Sequence, residues 1–69
     1  MRRDLVTSST IESIGYDEAT QTLEIEFKSG AVYQYFDVPD LVYRELMSAA
    51  SHGQFLAHSI KGSYRYSRV

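Results

Sequence analysis

Three cations and two aromatic rings fall within eight residues near the C-terminus: Lys61, Tyr64, Arg65, Tyr66 and Arg68. Cations set against phosphates supply most nucleic-acid affinity, and flat rings stack on unpaired bases of any sequence. The segment is therefore a candidate for RNA, with Lys61, Arg65 and Arg68 on phosphates and Tyr64 or Tyr66 on bases. Single-stranded or looped RNA, tRNA included, suits such a surface better than duplex. Arg44, on the polar side of an expected helix, would extend the patch. The competing reading is a solvated tail, or an edge strand whose charges keep other chains from pairing with it.

Other chemistry is poorly served. His52 and His58 are the only imidazoles, six positions apart across a helix boundary, and the chain has no cysteine. Zinc normally takes four ligands, so no metal site is expected. Ser51 and Ser59 adjoin histidines in sequence only. A serine nucleophile needs a base and an oxyanion hole arranged in space, and no strained elbow or glycine-rich phosphate loop is present. A chain of 69 residues also leaves little room for a substrate pocket of about 300 Å³ or more. No catalysis, cofactor or small-molecule substrate is expected.

Composition sets the frame for these residues. Apolar residues make up 43% and charged residues 23%, close to the averages of about 45–50% and 25% for soluble domains. One domain, residues 1–69 with an ordered core over about 8–66, is all that such a length supports, and its core must be small. The lack of cysteine fits a reducing compartment, so a cytoplasmic home is expected. No apolar run approaches the roughly 18 residues of a membrane span, and no apolar signal core follows Met1-Arg2-Arg3-Asp4. The net charge of −2 is unevenly spread. Over residues 10–40, Glu12, Asp17, Glu18, Glu24, Glu26, Asp37 and Asp40 face only Lys28, whereas over 41–69, Arg44, Lys61, Arg65 and Arg68 face only Glu45. Any binding of a polyanion must therefore be local.

The elements that would position these groups are legible from periodicity. Thr22 to Phe27 alternates, with Leu23, Ile25 and Phe27 inward and Glu24 and Glu26 outward, as in a half-buried strand. Ala31 to Phe36 is rich in β-formers, and Lys28-Ser29-Gly30 between them suits a three-residue hairpin loop with glycine at positive φ. That loop opposes Ile25 to Tyr33 and Leu23 to Tyr35, placing both tyrosines on the core face under the helices, with Val32, Gln34 and Phe36 on the other. The opposite register would expose the tyrosines for stacking, beside Glu24 and Glu26, which would repel phosphate. Ser9 to Tyr16 reads as a further strand in which Ile11 and Ile14 can share a face only across a bulge. The result is an α+β fold with a three-stranded antiparallel meander. Pro39 suits the first position of a helix over 39–50, and Ser51 the cap of a second over Gln54 to Ile60; both cover one sheet face. Tyr64 to Val69 is either a short edge strand or an ordered tail.

The order Ser8-Ser9-x-Ile11-x-x-Ile14-Gly15-Tyr16-Asp17, Thr22-Leu23-x-Ile25-x-Phe27-x-x-Gly30, Tyr33-Gln34-Tyr35, Val38-Pro39, Ala50-Ser51-x-Gly53, Ile60 and Tyr64-x-Tyr66 resembles the KTSC domain family. That family takes its name from the C-terminal region of some lysyl-tRNA synthetases, occurs also as a stand-alone bacterial protein, and is marked by a central Tyr-x-Tyr. Tyr33 and Tyr35 fill that motif here. The resemblance implies a domain of uncharacterised function, with RNA binding suggested by the synthetase context, by analogy only.

Two occupants follow from the residues. One is RNA on the basic-aromatic segment. The other is a protein partner or second copy on the uncovered sheet face, where Val32 and Phe36 flank Gln34 in an apolar patch.

Overall fold

The computed structural model describes residues 1–69. The chain forms five strands and a helical layer: β1 (Arg3–Leu5), β2 (Ile11–Asp17), β3 (Thr22–Phe27), β4 (Val32–Tyr35), α1 (Asp40–Ser48), α2 (His52–Phe55), a π-helical turn (Leu56–Ile60) and β5 (Tyr66–Arg68). The sheet order is β1-β2-β3-β4-β5, antiparallel throughout. The expected α+β architecture with two helices on one face is present, but the three-stranded meander gains a strand at each edge. β1 is too short to carry a period of its own, which is why the sequence hid it. The C-terminal segment is a strand, with Phe36 N–H donating to the Arg65 carbonyl and Val69 N–H to that of Val32, each at 2.9 Å. β1 lies before the 8–66 core drawn from the sequence, and β5 begins at its last residue and runs two residues past it.

The hairpin takes the register set by its three-residue loop. Leu23 faces Tyr35, Ile25 faces Tyr33, and Gly30 sits at φ +95°, where a side chain would be strained. A register shift between Ile11 and Ser13 supplies the bulge that lets Ile11 and Ile14 both bury completely. With Leu23, Ile25, Tyr35, Val38, Leu46, Leu56 and Ile60 they form the core, each fully buried aliphatic side chain contributing about 1.5–3 kcal/mol.

The helical layer departs from expectation in detail. Pro39 is extended at φ −63°, ψ 150° and precedes α1, while Ala49 and Ala50 lie past its end. Ser51 caps α2 as expected, its Oγ accepting from Gln54 N–H at 3.2 Å. The second helix starts at His52 and loosens after Phe55, with Lys61 N–H donating to the Leu56 carbonyl at 2.8 Å across a π turn. Leu56 and Ile60 both point into the core from it. His52 turns back to α1: a carbonyl only accepts, so the Nδ1–H donates to the Leu46 carbonyl at 2.8 Å. Tyr16 fastens α1 to the sheet. Its ring stacks on Tyr43 at 4.6 Å between centroids and 7° between planes, and its hydroxyl donates to the Val38 carbonyl at 2.5 Å.

The second face of the sheet is polar and partly sealed. Glu24 was expected to face solvent, yet it is 7% exposed. Arg3 crosses from β1 over Gly15, which has no side chain to obstruct it, and pairs with Glu24. Arg3 Nε also donates to Ser13 Oγ at 2.9 Å, Ser13 donates to Glu26 at 2.8 Å, and Gln34 Nε2 donates to Glu24 at 2.9 Å. Burial alone would raise the Glu24 pKa, but the hydrogen bonds from Gln34 and Arg3, together with the Arg3 charge, outweigh it and leave the pKa lowered.

Candidate functional site

The β4–β5 pairing sets Tyr66 opposite Tyr35 and Arg68 opposite Tyr33, so these four side chains leave on the sheet face that carries Leu23 and Ile25. The helices bury the β2–β3 part of that face and stop at Ile60. Beyond them lies a half-open groove of about 550 Å³ lined by Phe27, Tyr33, Tyr35, Tyr66 and Lys61, with the small residues Ser29, Ala31 and Gly62 leaving the space. The sequence left little room for a pocket; a helical layer that falls short of β4 and β5 supplies it.

The aromatic rings are mutually braced. Tyr66 lies 5.9 Å from Tyr33 and 6.0 Å from Tyr35 between centroids, tilted by 44° and 39°, and Phe27 meets Tyr33 edge-on at 5.8 Å. Lys61 Nζ stands 5.3 Å from the Phe27 centroid, within cation–π range. No carboxylate lines the groove, because the strand alternation sends Glu24 and Glu26 to the opposite face. Burial, then the neighbouring Tyr33 and Tyr66 phenols, raise the Tyr35 pKa, so its hydroxyl is protonated at neutral pH.

The structure divides the residues singled out from sequence. Lys61 and Tyr66 are in the groove and Arg68 is at its β5 edge; neither cation is ion-paired. Arg65 is on the other face, 2.8 Å from Asp37 and over the Phe36 ring at 5.7 Å, so it leaves the expected cluster. Tyr64 is half-buried against the core and borders a separate depression with Phe36 and Arg65. Arg44 pairs with Asp40 one helical turn away at 2.6 Å. Tyr33 and Tyr35 are on the core face, but Tyr33 is only half-buried and lines the groove; Tyr35 is 3% exposed at its floor. Core packing and accessibility were alternatives in the sequence, and here the same face provides both. Val32 and Phe36 are half-buried on the far face, with Gln34 between them held by Glu24, so that face is polar around them. Phe27 and Ala31 were not singled out. The signal was a small residue, Ala31, opposite Phe27 and followed at alternate positions by Tyr33 and Tyr35.

A five-stranded antiparallel sheet with a partial helical layer and an open aromatic groove beside it defines a small α+β domain. The chain belongs to the KTSC domain family, whose profile matches residues 7–64. A crystal structure of a KTSC domain protein from Yersinia pestis is similar at a TM-score of 0.96 and 41% identity, over 99% of this chain and 96% of that one. An uncharacterised protein of Stutzerimonas stutzeri is 43% identical over 100% of this chain and 99% of its own length. A lysine–tRNA ligase of Nostoc punctiforme is 44% identical over 88% of this chain, which spans only 11% of the ligase. No helix is long and apolar enough to cross a membrane.

Proposed function

We propose that the domain is a non-catalytic RNA-binding accessory module of the cytoplasm that takes single-stranded or looped RNA on the aromatic groove. The observation that carries this reading is the convergence of Tyr33, Tyr35, Tyr66 and Phe27 beside two unpaired cations, Lys61 and Arg68, with no lining carboxylate. Stacking on such rings contributes about 1–3 kcal/mol per base and tolerates any sequence. Its occurrence as a segment of lysine–tRNA ligases, enzymes named for a tRNA, supports the same reading. Two phosphate contacts give a salt slope of about −1.4 on logarithmic axes, so binding is weak and local, as a net charge of −2 requires. Self-association through Val32 and Phe36 has less support, because Glu24 holds Gln34 between them and Arg65 lies over Phe36.

Fluorescence anisotropy of a labelled RNA hexanucleotide tests the proposal. Tyr66→Ala and Lys61→Glu should each weaken binding about tenfold or more, whereas Arg44→Glu, remote in sequence and already paired, should have little effect. Equal affinities for all four proteins, or no binding at low salt, would overturn the proposal.

A further inference from the structure

Tyr35 is nine-tenths buried or more, at 3% exposure, and its hydroxyl makes no hydrogen bond to any group of the chain. No polar side-chain atom is sealed inside the protein without a partner, so this hydroxyl opens to solvent, and the only space its side chain lines is the floor of the groove. The tyrosine ring is fixed by Leu23 across the strand pair on one side and by Tyr66 on the other. A hydroxyl held rigidly at the bottom of an aromatic cleft is a donor and acceptor waiting for a polar edge. Leaving it dry beneath an apolar ligand would carry the penalty of an unpaired polar group.

We infer that the groove holds one unpaired nucleobase of an RNA strand, with its ring against Tyr33 and Tyr66, its polar edge on the Tyr35 hydroxyl, and its flanking phosphates toward Lys61 and Arg68. This rests on the RNA reading above. The volume of about 550 Å³ falls within the range of about 300–1,000 Å³ typical of sites for one small ligand. A base still paired in a helix has its edge occupied and its faces stacked, so it cannot reach the floor. Cations at the rim and none at the floor match the anionic backbone and neutral base of one strand. Tyr35 is then a specificity-determining residue that separates a polar-edged base from a flat apolar ring of the same shape.

The experiment compares an oligouridine hexamer with the same hexamer carrying 2,4-difluorobenzene in place of uracil, a flat isostere without normal hydrogen-bonding capacity. Both are titrated into wild type and Tyr35→Phe. The wild type should prefer uracil over the isostere by a factor about 3–10 larger than the variant does, the scale of one neutral hydrogen bond. The salt slope should be the same in both proteins. A second readout needs no variant: in wild type labelled at the tyrosine ζ-carbon, the Tyr35 resonance should move with oligouridine and stay with the isostere. Equal preference in the two proteins, or an unmoved Tyr35 resonance with bound RNA, would overturn this inference while leaving the RNA reading intact. Absence of RNA binding altogether would overturn both.

Discussion

Replacing Arg3 by methionine removes one charge from the far face of the sheet and keeps the stem that crosses Gly15. The Arg3 side chain is 28% exposed and that of Glu24 10%. Breaking a fully buried pair costs about 3–5 kcal/mol, and an exposed pair is worth about 0–1. Arg3 lies between these limits, and Gln34 still donates to Glu24, which places the cost near 2 kcal/mol. For a domain of this size that is about 8–16 °C in Tm. The sign of the pH dependence follows from Glu24, whose folded pKa is lowered from its ordinary 4.5. Its contribution is complete above that value and is lost as pH falls through the lowered one. In Arg3→Met burial is opposed less, so the variant loses less than the wild type as pH falls. Urea unfolding at neutral pH and near pH 3 should show the gap between the two proteins shrinking with acid. Adding Glu24→Gln should cost less in the Arg3→Met protein than in the wild type. A gap below about 0.5 kcal/mol, the scale of ordinary surface substitutions, or one that does not change with pH, would refute the network as described.

Three other outcomes are expected. Gly15→Ala would place its Cβ 2.6 Å from the Arg2 carbonyl oxygen and 2.8 Å from Arg3 Cγ; it should cost about 1–3 kcal/mol and strip hydrogen-exchange protection from the β1–β2 ladder first. Ser51→Ala should cost about 1 kcal/mol by removing the α2 cap, and Ser51→Asp should restore most of it in thermal melts. Tyr16 and Tyr35 should titrate above 10 in ultraviolet difference spectra, raised first by burial. Their contribution to stability is present below 10 and lost as pH rises through the raised values, so alkaline unfolding should begin later in Tyr35→Phe.

Local patterns in the sequence carried the central sheet. Alternation at Thr22–Phe27, a glycine fit for positive φ at Gly30, and the spacing of Ile11 and Ile14 specified strand, register and bulge, because each is set by neighbours a few residues away. Arg3 escaped notice for the opposite reason. Its role needs Ser13, Glu24 and Glu26 brought together from three strands, and a three-residue strand has no periodicity to reveal it. The groove was half legible. Lys61 and Tyr66 stood out by type and Tyr33 and Tyr35 by register, but their meeting depends on β5 pairing with β4 and on helices that end at Ile60. The same pairing splits Arg65 from Arg68, since successive residues of a strand face opposite ways.

The most direct test of the RNA reading is a titration of ¹⁵N-labelled protein with a short single-stranded RNA at low and moderate salt, followed amide by amide. The account predicts shifts that cluster at Phe27, Ala31, Tyr33, Tyr35, Lys61–Gly62 and Tyr66–Arg68 and fade with salt, while Arg44 and the Arg3 network stay still. Shifts confined to the far face around Gln34 and Phe36, or no shifts at low salt, would contradict it.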